Sequence, residues 1–225
     1  MPIPISTRHD AMTMNNRIAQ LEATLTLGPV VPVVVIEDAA QAVPLARALV
    51  AGGAPAIEVT LRTPAALDAI RAIAAEVEGA HVGAGTILNP ADLDNAVQAG
   101  ATFIVSPGST PALLDAAEEQ SVPLLPGAAS ASEAMILLER GYTLQKFFPA
   151  EAAGGTAMLR SLGGPLPGIR FCPTGGVSTK NARDYLSLSN VICVGGSWLT
   201  PRGLVAAGDW NAIEQLAREA TALRA

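Results

Sequence analysis

Short apolar runs recur along the chain, centred near Val34, Ile57, Val82, Ile104, Leu124, Gln145, Phe171 and Ile192, at intervals of 20 to 26 residues. Each is brief and bounded by glycine or proline, which predicts eight strands. Between them lie alanine-rich segments with helical spacing, such as Leu67, Ile70, Ile73 and Val77. Thr63–Pro64, Asn89–Pro90 and Thr110–Pro111 put a capping residue before a proline suited to the first helical position. Ser130 and Glu133 have capping-box spacing, and Ser178 reads as another helix cap. Gly52–Gly53, Gly100 and Gly141 fall where helices stop before the next strand. Upstream, Ile18, Leu21 and Leu25 predict a short amphipathic helix lying over one end of the fold. The alternation predicts an α/β chain: an N-terminal segment over residues 1–27, then a single (β/α)₈ TIM barrel domain over 28–225. A doubly wound sheet is the alternative.

Composition narrows the partners. Half of the 225 residues are hydrophobic but only 4% are aromatic, as suits layered packing of small aliphatic side chains. A formal net charge of −6 argues against nucleic acid or an anionic membrane as partner, though a local field could still hold an anionic substrate. Cys172 and Cys193 sit in apolar runs and read as reduced core residues. His9 and His81 lack metal-ligand spacing. The run Val30–Ile36 is too short to span a bilayer, and the N-terminus has no signal-peptide pattern, so the expected compartment is the cytoplasm. Trp198 and Trp210 read as packing anchors.

The candidate chemistry begins with a lysine where lysine is costly. Lys146, one of 2 lysines against 12 arginines, lies inside the strand-like stretch Tyr142–Pro149; Lys180 lies in the polar Ser–Thr–Lys–Asn segment. A buried ammonium must be paired or give up its proton, and a neutral amine attacks ketones well. A lysine snorkelling to the surface is the plainer alternative. On the second strand Ile57, Val59 and Leu61 share one face, while Glu58, Thr60 and Arg62 share the other. Glu58 and Arg62 could form an internal ion pair, or act as a proton shuttle and a carboxylate clamp. Thr86 offers a hydroxyl at the end of the third strand. Ser106–Gly108 and Pro126–Gly127 read as simple turns. The turns Thr174–Gly175–Gly176 and Gly195–Gly196–Ser197 follow the seventh and eighth strands, where barrels often hold phosphate. They could also merely close the fold.

Lysine, glutamate, arginine and an anion cradle together suggest class I aldol chemistry with no metal or other cofactor. The segments IEVTLRT (57–63), GAGTIL (83–88), KFFPAEA (146–152), RFCPTGG (170–176) and GGSWL (195–199) make the chain resemble the 2-keto-3-deoxy-6-phosphogluconate (KDPG) aldolase family from about Gly28 onward. That resemblance implies a trimeric barrel cleaving KDPG to pyruvate and glyceraldehyde 3-phosphate in the Entner–Doudoroff pathway. It implies Lys146 as the Schiff-base lysine and Glu58 as general acid/base acting through a water. Arg62 and Thr86 would hold the pyruvyl carboxylate, with Thr174 beside it. Gly175, Gly176, Gly195, Gly196 and Ser197 would hold the phosphate of the sugar acid. Pro126–Ser130 carries smaller residues than relatives often do, and residues 1–27 match poorly. Rival readings are the galactonate epimer or 4-hydroxy-2-oxoglutarate as substrate, a non-catalytic phosphate-binding oligomeric scaffold, or a sugar-phosphate isomerase with Glu58 as base.

Overall fold

In a computed structural model, residues 13–224 are described. His9 and the first part of the expected N-terminal segment lie outside them. All strand pairs are parallel. The strands are β1 (Val30–Val34), β2 (Ala56–Thr60), β3 (His81–Gly85), β4 (Phe103–Val105), β5 (Leu124–Leu125), β6 (Gly127–Ala128), β7 (Leu144–Phe147), β8 (Arg170–Pro173) and β9 (Val194–Gly196). They form a curled α/β sheet in two parts, ordered β5-β4-β3-β2-β1-β9 and β6-β7-β8. Single bridges join Phe171 to Val191 and Thr174 to Gly195.

Two strands differ from the sequence expectation. The fifth is split at Pro126, which has no N–H for a ladder. Leu124 and Leu125 pair with β4, then Gly127 and Ala128 change partner and pair with β7. The eighth begins at Val194, two residues past its expected centre at Ile192.

The helices are α1 (Met14–Leu25), α2 (Ala42–Ala51), α3 (Ala66–Glu76), α4 (Pro90–Gln98), α5 (Pro111–Glu119), α6 (Ala131–Glu139), α7 (Gly155–Gly163), α8 (Ala182–Leu186), α9 (Arg202–Ala207) and α10 (Trp210–Thr221). Their apolar faces pack with the outward strand residues Val34, Ile57, Val59, Ile104, Phe147 and Phe171 in one core. A second core fills the inside of the curl, made by Val31, Ala56, Phe103, Val105, Leu125, Leu144, Cys172, Ile192 and Cys193. Gly83 makes room for it, since a Cβ there would lie 2.4 Å from the Phe103 ring. Leu21 and Leu25 of α1 enter this inner core. Arg17 and Glu22 pin the helix through bonds to the Glu118 carbonyl and the Arg170 guanidinium. Both cysteines are buried thiols. No helix among the described residues is long and apolar enough to cross a membrane.

Asn89, Thr110 and Ser130 cap their helices as expected, accepting from the N–H groups of Asp92, Leu113 and Glu133. Thr63 does not: α3 starts at Ala66, and the Thr63 hydroxyl instead donates to the Ile36 carbonyl at 2.5 Å, tying the β2 and β1 loops together. Ser178 does not cap a helix either. It sits in a turn closed by Asn181, the residue that precedes α8.

At Ser130 the box is reciprocal, because the Glu133 carboxylate accepts from the Ala129 N–H at 2.8 Å. That bond, partly opposed by burial and aided by Ser130, holds the Glu133 carboxyl below its ordinary 4.5. The folded value is depressed, so its contribution is complete well above pH 4.5 and is lost as pH falls through the lower folded value. Ser130→Ala should cost about 1 kcal/mol in urea unfolding at pH 7, with activity unchanged.

Candidate active site

Alternation along the strands sets which polar groups point inward. Ala56 of β2, Leu144 of β7 and Cys172 of β8 belong to the inner core, so Glu58, Lys146 and Thr174, two residues further on, project into the same interior above an apolar floor. In register, Glu58 stands beside Val33 and Gly83, while Lys146 stands between Gly127 and Cys172. Across the interior Lys146 Nζ meets Glu58 Oε1 at 3.2 Å, with both residues at most 4% exposed. The sequence allowed a buried amine to pair or to lose its proton; the structure supplies a partner, and snorkelling is ruled out by burial. Glu58 is paired with Lys146 rather than with Arg62, so the alternative of an internal Glu58–Arg62 ion pair is not formed.

Gly85 makes this pairing geometrically possible. A Cβ on it would lie 2.1 Å from Glu58 Oε1, so any side chain there would displace the carboxylate. Thr86 follows at φ 63°, left-handed backbone that a β-branched residue adopts at a cost. That strain turns the chain at the strand end immediately beside Glu58.

Above the pair lies a cleft of about 290 Å³, whose walls include Arg62, Phe148, Thr174, Gly175, Gly176, Gly195 and Ser197. Arg62 lies beyond β2 rather than within it, and it is exposed. Among the described residues no acidic side chain pairs with it, which leaves its planar fork available to an anion. Gly175 and Gly176 turn at φ 98° and 79°, which presents their backbone to the cleft. Thr174 bridges to Gly195, whose lack of a Cβ admits the Thr174 hydroxyl. Gly196 is not in the cleft wall; the Trp198 ring covers the space its Cβ would need. Thr86 also lies outside that wall, joined to the site through Gly85 and Glu58. Trp198 and Trp210 pack against the outer core as expected.

Phe148 is a wall residue that the sequence reading gave no role in the site. Its ring centroid lies 5.3 Å from Lys146 Nζ, within range of a cation–π contact, and it links the buried amine to the cleft. The available signal was its position two residues after Lys146, on the same strand face. Among the described residues no three His, Cys, Asp or Glu side chains converge as a metal centre would need.

A family model for KDPG and KHG aldolases matches residues 21–216. The KHG/KDPG aldolase of Escherichia coli K12 is 54% identical over 207 residues, covering 92% of this chain and 97% of that protein. The 2-dehydro-3-deoxy-phosphogluconate aldolase of Pseudoalteromonas atlantica is 53% identical over 211 residues, covering 94% and 98%. Among solved structures, KDPG aldolase from Legionella pneumophila, with pyruvate captured at low pH as a covalent carbinolamine intermediate, superposes with a TM-score of 0.87 at 45% identity, over 89% of this chain and 97% of that one. The Zymomonas mobilis enzyme with 3-phosphoglycerate gives a TM-score of 0.86 at 48% identity, over 92% and 97%. A buried lysine–carboxylate pair below a glycine-walled cleft is thus found in a sequence that the family model spans almost throughout, and the chain belongs to the KDPG and KHG aldolase family.

Proposed function

We propose that this chain is a class I aldolase that cleaves 2-dehydro-3-deoxy-6-phosphogluconate to pyruvate and D-glyceraldehyde 3-phosphate, the aldol cleavage of the Entner–Doudoroff pathway. The observation that carries the reading is the Lys146–Glu58 contact of 3.2 Å, buried beneath the cleft. The Lys146 amine attacks the C2 ketone to give a carbinolamine, and loss of water leaves an iminium. The C3–C4 bond then breaks, its electrons moving into the iminium to form an enamine, while the C4 hydroxyl gives up its proton and leaves as the aldehyde. Protonation of the enamine carbon and hydrolysis release pyruvate and the free amine. Glu58, acting through a water, takes and returns these protons, because its carboxylate already sits within bonding distance of the reacting nitrogen.

Arg62 and Thr86 take the pyruvyl carboxylate, with Thr174 at the same end. Gly175, Gly176, Gly195 and Ser197 of the cleft wall take the phosphate, with Gly196 behind that wall beside the Trp198 ring. Support comes from Arg62, with which no acidic side chain pairs among the described residues, and from the left-handed backbone of Gly175 and Gly176 in the cleft wall. A second substrate, 4-hydroxy-2-oxoglutarate, is favoured by the dual name of the E. coli relative. The two part-sheets read as one closed (β/α)₈ barrel over residues 28–225, supported by the Pro126 junction and the Phe171–Val191 and Thr174–Gly195 bridges. A homotrimer working in the cytoplasm follows the family resemblance.

Borohydride reduction in the presence of pyruvate tests the proposal. Peptide mapping is expected to find a reduced pyruvate adduct on Lys146. An enzyme that cleaves KDPG yet keeps Lys146 unlabelled would overturn it, and a chain with neither adduct nor turnover would support the scaffold reading.

A further inference from the structure

The loop after β7 carries a carboxylate that the aldol steps leave idle. Glu151 lies five residues beyond Lys146. Its N–H donates to the Gly175 carbonyl at 3.0 Å, and the Ala150 N–H donates to the Thr174 carbonyl at 2.8 Å. Its stem runs directly under Gly176, where a Cβ would lie 2.6 Å from Glu151 Cγ. The far end of the side chain is gripped by Tyr185 of α8, whose hydroxyl donates to Oε1. Tyr185 is fully buried in the outer core, so its ring is a fixed post. Burial first, then the adjoining carboxylate, push its phenol well above the ordinary value, which keeps it a donor.

Two consecutive glycines make a turn with many conformations to lose, so backbone donors aimed at an anion need outside support. The Glu151 stem and backbone provide that support. A carboxylate beside an anion site would also repel its ligand, unless it is held away. We propose that Glu151 and Tyr185 are positioning residues for phosphate: the Glu151 stem braces the Gly175–Gly176 turn, and Tyr185 anchors its charge against α8, away from the bound anion. Together they set preference for phosphorylated over unphosphorylated keto-deoxy acids. The inference rests on the reading of that turn as the phosphate holder.

The test is steady-state kinetics with KDPG and with its unphosphorylated analogue, 2-keto-3-deoxygluconate, plus inhibition by inorganic phosphate. Tyr185→Phe frees the carboxylate, and the expected loss falls on KM for KDPG, roughly fivefold, the scale of one partly screened charge. The inhibition constant of phosphate rises alike, while KM for the analogue and both kcat values stay put. Adding Glu151→Gln to Tyr185→Phe removes the stray charge and recovers most of the loss. Should Tyr185→Phe fail to fold, Glu151→Gln and Glu151→Ala decide instead: the first keeps the stem and the KDPG KM, and the second loses both. Equal effects on the two substrates, no recovery in the double variant, or equal losses in Glu151→Gln and Glu151→Ala would each overturn the proposal. Ser197→Ala is the control for the underlying reading. If it shows phosphate-selective loss and Tyr185→Phe does not, only the positioning role falls; if it shows none, the phosphate-holder reading falls with it.

Discussion

Lys146→Ala is expected to abolish KDPG cleavage, lowering kcat on the order of 10⁵-fold to 10⁶-fold, the scale on which a working set of groups loses its covalent nucleophile. The only other lysine, Lys180, is exposed in the turn ahead of α8 and does not take its place. The same substitution carries a second effect that a surface lysine would not. Lys146 and Glu58 are paired with at most 5% side-chain exposure, so its removal strands a buried carboxylate. Breaking such a pair from one side costs about 3–5 kcal/mol, whereas neutralising both partners costs far less. Lys146→Ala should therefore lower the urea midpoint markedly, and Lys146→Met combined with Glu58→Gln should recover most of it while remaining inactive. A Lys146→Ala protein with wild-type stability and more than a trace of turnover would sink the assignment of the pair as both buried and catalytic.

Glu58→Gln carries the next largest effect. Turnover should fall by roughly 10²-fold to 10⁴-fold, the usual share of a positioned acid/base. The amide is close in shape to the carboxylate, can still lie over Gly85 and keeps an oxygen that accepts from Lys146, so a loss of turnover larger than any fall in the urea midpoint reports proton transfer. Borohydride should still trap some pyruvate on Lys146 in this variant, because the nucleophile remains. Gly85→Ala offers an independent route to the same defect, since its Cβ would displace the carboxylate without altering its chemistry. Undiminished turnover in Glu58→Gln would reduce Glu58 to a counter-ion for Lys146.

Local patterns made much of this legible in advance. Polar residues at every second position of a strand buried on both faces marked Glu58 and Thr60 as interior, and β2 is buried at all five positions. The caps at Asn89, Thr110 and Ser130 depend on neighbours three residues away, so they formed as read. Thr63 and Ser178 look the same in sequence but have stronger offers from distant or adjacent groups: the Ile36 carbonyl for one, Asn181 for the other. Phe148 shares the Lys146 face in the sequence pattern but was given no role in the site, because an aromatic beside a buried strand residue reads as core.

The chain's own order of residues determined the parallel β/α rhythm, the polar face of β2 and the rarity of a lysine at position 146, since these follow from composition, from periods of two and 3.6 and from local turn chemistry. Pairing was decided only by the tertiary structure. Whether Glu58 would meet Arg62, four residues further along the chain, or Lys146, 88 residues distant, turns on how β2 and β7 face each other across the curled sheet. The same holds for Glu151 and Tyr185, brought together by the packing of the loop after β7 against α8. Those contacts arise between side chains whose separation in sequence carries no information, because closing a chain on itself sets distance through every element in between.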